Sequence, residues 1–187
     1  MDFGLEKNML DKIKQAELLA RFVHCNQLRR DGEEYINHPQ RMVTEYIRSI
    51  PGNLYYNVPG VYKELKLSLE QVNIVCAIWL HDCIEDAENS YAVAAMIGCH
   101  FSKRTMELVR ILTHRKWQSY NEYIERVAQN PQALQIKWED LRDNTSHPIP
   151  NKQWLKYRNA LIHLIGLNKL IVIPTILVER LEIGDIP

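Results

Sequence analysis

Ser68-Leu69-Glu70-Gln71-Val72-Asn73-Ile74-Val75-Cys76-Ala77-Ile78-Trp79-Leu80-His81-Asp82-Cys83-Ile84-Glu85-Asp86 is the stretch on which the fold turns. Ser68 followed three residues later by Gln71 has the form of a capping box, in which a hydroxyl and an amide answer the N–H groups that a helix start leaves open. From Val72 to Leu80 the side chains are apolar on nearly every face, so the pattern predicts a helix with no solvent side, placed at the centre of the molecule. Four ionisable groups then close it: His81, Asp82, Glu85 and Asp86. Charge at the end of a buried helix is strongly disfavoured unless it is paired or bound to a cation, so these residues call for a chemical explanation. His81 and Glu85 are four apart, as are Asp82 and Asp86, which on a continuous helix would line them up in two adjacent columns.

Outward from this core the chain reads as further helices. Leu5 to Val23 carries apolar residues at three and four, with Lys, Glu and Gln between them. Gln27 to Asn37 breaks that period and reads as a loop; a helix then opens near Pro39 and is stopped by Pro51 and Gly52. The segment Pro51 to Leu67, rich in Pro, Gly, Asn and Tyr, reads as a surface excursion with one helical turn near Val61 to Leu65. Tyr91–Ile97, Ser102–Leu112, Ser119–Gln129, Ala133–Leu141 and Trp154–Leu170 each support a further helix. No stretch alternates with period two between turn signals except Leu170 to Val178, which Pro174 interrupts. The expected architecture is one all-α helical bundle over residues 1–170. The apolar tail 171–187 would pack back onto it or cover a partner subunit, with a homo-oligomer favoured.

The chain has 187 residues, 46% hydrophobic and 25% charged, enough to bury a core without disulfides. Lys+Arg and Asp+Glu are both 23, so the basic excess of a dedicated nucleic-acid binder is missing and no nucleic-acid partner is expected. Cys25, Cys76, Cys83 and Cys99 form no CxxC pair and read as reduced thiols. Met1 to Leu10 has no apolar run of the kind that targets export, and no stretch is long enough to span a bilayer. A cytoplasmic protein with no membrane partner is the expectation.

Adjacent His81 and Asp82 can both reach one divalent ion, leaving Glu85 and Asp86 beside it to handle water and protons. A metal needs more ligands, and the chain offers His38, ahead of Pro39, and Asp140, one turn before Asn144. Such a mixed nitrogen and oxygen set suits Mn, Fe, Co or Zn performing hydrolysis with open coordination positions. Taken as bare residues, Arg29 and Arg30 read as a solvated loop, and His24 as a satisfied interior histidine. Tyr and Trp residues read mostly as packing.

The order His38, His81-Asp82, Asp140 resembles the HD phosphohydrolase superfamily. More closely, Arg29-Arg30-Asp31-Gly32-Glu33-Glu34-Tyr35-Ile36-Asn37-His38-Pro39, Leu80-His81-Asp82 with Glu85-Asp86, and Lys137 to Asn144 resemble the hydrolase domain of RelA/SpoT-type proteins and free-standing small alarmone hydrolases. The likeness runs from about His24 to about Asn144. It implies that His38, His81, Asp82 and Asp140 hold one metal, usually manganese in that family, and that Glu85 and Asp86 orient or deprotonate the attacking water. It further implies that Arg29 lies against the nucleotide base with Arg30 next to it, that Asn144 contacts the nucleotide and that Lys137 supports the pocket. The implied reaction removes the 3′-pyrophosphate of a guanosine tetra- or pentaphosphate. Two departures lie where a substrate would sit: the long His38 to His81 interval, and Leu141-Arg142-Asp143-Asn144 where the family commonly has Arg-Leu-His-Asn. NADPH or another nucleotide phosphate as substrate, and a non-catalytic nucleotide binder that keeps the pocket, stay open beside the alarmone reading.

Overall fold

The computed structural model describes residues 3–53, 65–146 and 150–166, with side chains from residue 8 to residue 164 of those ranges. The described residues are all-α, the fold class expected. Among the described residues there are nine helices and no strand beyond one isolated antiparallel bridge, Leu28 to Glu34. They are α1 (Phe3–Val23), α2 (Asn37–Ser49), α3 (Leu69–Leu80), α4 (Cys83–Asp86), α5 (Ser90–His100), α6 (Lys103–Leu112), α7 (Tyr120–Ala128), α8 (Pro131–Thr145) and α9 (Asn151–Gly166). They fall into two compact units, Met1–Thr113 and His114–Pro187. Residues 61–64 of the expected helical turn at Val61 to Leu65 and the tail 171–187 lie outside the described residues. None of the helices described is long and apolar enough to cross a membrane.

In the first unit α3 is the axle, packed against α1, α2 and α6. Every residue from Val72 to Leu80 is buried, as the all-round apolar pattern requires. The exception in polarity, Asn73, is answered on its Oδ1 by the hydroxyls of Ser102, at 2.7 Å, and Thr105, at 3.2 Å, on the opening turn of α6. A buried amide left without those donors would destabilise the core by about 1–3 kcal/mol. The capping box at the start of α3 is formed on both sides: Gln71 N–H donates to Ser68 Oγ at 3.2 Å and Ser68 N–H to Gln71 Oε1 at 2.7 Å. Ser68→Ala is expected to lower stability by about 1 kcal/mol in denaturant titrations, leaving the slope unchanged.

α2 turns one face inward through His38, Pro39, Met42, Val43, Tyr46 and Ile47. It needs no side-chain cap. Asn37 N–H and His38 N–H bond the carbonyls of Glu34 and Tyr35 in the preceding turn, and Pro39 has no N–H to satisfy.

The second unit packs α7, α8 and α9 together, with Leu141, Tyr157 and Leu161 at the centre of one cluster and Trp138 against it. α8 begins earlier and ends later than the apolar period suggests. Asn130 caps it by accepting from the Gln132 and Ala133 N–H groups, and Pro131 stands in its first turn, where a missing donor is harmless. α7 starts from a second capping box, Ser119 with Glu122.

Candidate metal centre

The apolar helix does not run on through Asp86, as the two-column reading of His81 to Asp86 supposes. α3 ends at Leu80, His81 and Asp82 form a turn, and the short α4 starts afresh at Cys83. Asp82 lies at φ −97°, ψ −8°, a right-handed conformation, immediately before the first turn of α4. Side chains compete for the last carbonyls of α3 at this break. His81 Nδ1 lies 2.8 Å from Ile78 O and Cys83 Sγ 3.7 Å from Trp79 O. These contacts take up carbonyls that a continuing helix would otherwise engage. The Asp86 N–H still reaches Asp82 O at 3.0 Å, so the one-turn relation of those two residues survives the break.

The His81 contact sets the chemistry. With Nδ1–H donating to a carbonyl, the lone pair sits on Nε2, the arrangement found in metal-binding histidines. His81 Nε2 lies 2.9 Å from Asp82 Oδ2, and His38 Nε2 lies 4.0 Å from the same oxygen. The two imidazoles meet edge to face with centroids 5.3 Å apart. One ligand atom from each of His38, His81 and Asp82 falls within 4.8 Å of the other two. Lone pairs and a carboxylate converging at this range repel unless a cation or a proton lies between them, so the donor set fits a divalent ion of borderline softness. The histidine side chains are 2% and 3% exposed and the Asp82 side chain 23%, which leaves the carboxylate as the side from which an ion would enter.

The first unit also carries several of the remaining candidates. Glu85 is exposed on α4. Asp86, its side chain 37% exposed, lies 3.8 Å from His24 Nδ1. Burial first, and the charge of Asp82 second, push the Asp86 carboxyl above its ordinary range, while His24, His81 and the Tyr35 hydroxyl pull it back. A carboxylate shifted in this direction is a better proton acceptor than a free one.

Arg29 and Arg30 sit on a tight turn closed by Arg29 N–H to Glu33 O at 2.7 Å and Tyr35 N–H to Gln27 O at 2.9 Å. The turn needs Gly32, whose φ of +87° is a conformation that side-chain-bearing residues resist. Its Glu33 is tied to α2 by Arg41 at 2.6 Å. Arg29 is half-buried and Arg30 exposed.

His24 is the interior histidine the sequence suggests, with Nδ1 2.8 Å from Gln27 Oε1 and Nε2 3.7 Å from Cys83 Sγ. Burial pulls its pKa below the ordinary 6.5, outweighing the Gln27 hydrogen bond and the charges of Asp82 and Asp86. The native state therefore takes up this proton less readily than the unfolded chain. Stability is full above about pH 6.5 and falls as the pH drops from there toward the lower folded-state value. Thermal midpoints are expected to decline from pH 7.5 to pH 5, and to decline less in His24→Gln. All four cysteines are free thiols, and burial pushes Cys83 far up, so it is inert.

In the second unit, Asp140 on α8 is held by two neighbours one turn either side. Lys137 Nζ meets its Oδ2 and Asn144 Nδ2 its Oδ1, each at 2.5 Å. The side chains of Lys137 and Asp140 are 12% and 5% exposed. Burial, the largest single influence, would lower the Lys137 pKa, but the Asp140 carboxylate together with Tyr123 and Tyr120 outweighs it and the ammonium is held well above its usual value. Lys137 also lies 5.2 Å from the centre of the Tyr123 ring. Arg142, from the departing motif, pairs with Glu139 at 2.6 Å.

Sequence reasoning gave Tyr35 no role, although it stands inside the Arg29 to Pro39 motif. Its hydroxyl donates to Asp82 Oδ2, its ring stacks on His24 at 4.5 Å, and its edge meets His38. Three residues before a candidate ligand histidine, a tyrosine is a detectable but weak signal.

No family model matches the chain. Over 142 residues it is 25% identical to the guanosine-3′,5′-bis(diphosphate) 3′-pyrophosphohydrolase of Aquifex aeolicus (strain VF5), covering 72% of this chain and 17% of that protein. Over 126 residues it is 29% identical to the bifunctional (p)ppGpp synthase/hydrolase SpoT of Escherichia coli (strain K12), covering 67% of this chain and 15% of that one. A guanosine-3′,5′-bis(diphosphate) 3′-pyrophosphohydrolase of Shigella flexneri is similar to the same extent. The chain thus spans about a sixth of the length of these curated relatives, and by sequence it is distantly related to hydrolases of this group.

Proposed function

We propose that the chain is a divalent-metal-dependent phosphohydrolase of the HD type that removes the 3′-pyrophosphate from a guanosine alarmone. The observation that carries this reading is the meeting of His38, His81 and Asp82 at one point, in a chain whose distant relatives are named for that hydrolysis. Asp140 is retained as a further ligand on the order of the motifs. A divalent ion, manganese by the resemblance, would supply Lewis-acid polarisation of a phosphoryl oxygen and would acidify a water.

The chain's own residues do the rest. His81 offers its Nε2 lone pair because Ile78 O holds its Nδ1. Asp86 takes the proton of the attacking water, with Glu85 beside it to orient that water. Arg29 and Arg30 meet the base and the phosphates of the nucleotide on a turn whose backbone is already closed. Lys137 holds Asp140 in place, and Asn144 reaches the nucleotide from the same helix turn. The protein acts in the cytoplasm on a small nucleotide.

Purified chain with Mn2+ and guanosine tetraphosphate is expected to release GDP and pyrophosphate, resolved by anion-exchange chromatography. Orthophosphate from NADPH in place of these products would move the substrate assignment. Nucleotide binding with no turnover across a nucleotide panel would replace the enzyme by a binding module.

A further inference from the structure

Asp82 stands at the break between α3 and α4, and its side chain is partly open to solvent. Oδ2 is nonetheless aimed inward, 2.9 Å from His81 Nε2 and 4.0 Å from His38 Nε2. The Tyr35 hydroxyl donates to that same oxygen. A carboxylate oxygen has two lone-pair directions, so one accepts the phenol and the other stays turned to the imidazoles.

The phenol itself is clamped. Its ring lies flat on buried His24, 23° from parallel, and His24 is in turn fixed by Gln27. Its backbone is fixed at both ends, the N–H on Gln27 O and the carbonyl on His38 N–H at 3.0 Å. The same residue thus closes the turn that carries Arg29 and Arg30 and, through its carbonyl, opens the helix that carries His38.

We infer that Tyr35 is a positioning residue of the metal centre: its hydroxyl sets the orientation of Asp82 as a ligand, and its backbone fixes the arginine-bearing turn to the same point. The inference rests on the metal reading above. Hydrogen bonds to ligand carboxylates commonly change metal affinity by about 10–100-fold, and Tyr35 makes such a bond without touching an ion itself.

The test is Mn2+ titration by calorimetry of the full chain and of Tyr35→Phe, at a temperature where circular dichroism shows both fully folded. Phenylalanine keeps the stacked ring and removes only the hydroxyl. The Mn2+ dissociation constant is expected to rise by about 10–100-fold. Turnover of guanosine tetraphosphate is expected to fall at limiting Mn2+ and to return toward the wild-type kcat at saturating Mn2+, because the reacting groups are untouched. His24→Gln, which loosens the seat of the ring and leaves the hydroxyl, is expected to weaken Mn2+ by less than about 10-fold and serves if Tyr35→Phe does not fold. Equal dissociation constants in wild type and both variants would overturn the inference while leaving the metal centre standing. No Mn2+ binding by the wild-type chain would remove the metal reading, and this inference with it.

Discussion

Asp82→Asn is expected to lose divalent-metal binding and to lower hydrolysis by at least about 10^3-fold, while the folded protein becomes no less stable in the absence of metal. The first half follows from charge. A bound ion supplies several kcal/mol of transition-state stabilisation, and each 1.36 kcal/mol is tenfold in rate, so losing about 4 kcal/mol costs three orders of magnitude. The second half follows from the local geometry. Asp82 Oδ2 faces the His81 lone pair at 2.9 Å, an acceptor against an acceptor. An amide of the same shape can turn its NH2 toward that nitrogen, replacing the repulsion by a hydrogen bond, while its second N–H donates to the Tyr35 phenol oxygen in place of the O–H bond that Asp82 Oδ2 accepts. Calorimetric Mn2+ titration, a product assay and thermal unfolding with and without chelator test the three parts. An Asp82→Asn protein that binds Mn2+ as the wild type does would rule out Asp82 as a ligand.

The second large effect concerns stability. Asp140→Asn leaves the Lys137 ammonium almost fully buried without its carboxylate partner. Removing one member of a buried pair typically costs 3–5 kcal/mol, so the unfolding midpoint is expected to drop by roughly 10 °C or more for a chain of this length. The double change Lys137→Met with Asp140→Leu, which removes both charges and fills the space, is expected to recover most of that loss in a double-mutant cycle. The sign of the pH dependence is set by Lys137. Its folded pKa is raised, so its stabilisation is complete below the unfolded lysine value of about 10.5 and is lost only as the pH climbs through the still higher folded value. The pair is therefore intact across the neutral range, and the acid-side loss of stability comes from groups such as His24.

Much of this molecule is legible in its sequence because the signals are local. The Ser68–Gln71 box, the apolar run after it with Asn73 as its exception, and Pro39, near which α2 opens, all act within one or two turns, and each is realised as read. The His81-Asp82 pair with His38 is legible for a related reason: charge at the end of a buried helix has few other uses. The break after Leu80 is not. It depends on His81 and Cys83 side chains reaching carbonyls three and four residues back, and a helical wheel cannot show that. Tyr35 is hidden because an aromatic residue is read as packing, and only the fold puts its hydroxyl on a carboxylate 47 positions away. Lys137 and Asp140 have surface ion-pair spacing; their burial comes from the packing of α7, α8 and α9.

The Leu28–Glu34 bridge has a consequence for affinity. On the nucleotide contacts proposed for Arg29 and Arg30, and with the ends of that hairpin already joined, a phosphate-bearing guest would have only side chains left to quiet. Ordering a floppy segment of five residues would consume about 1–2 kcal/mol for each of them, enough to erase several decades of association constant. The chain discharges that debt when it folds, before any guest appears.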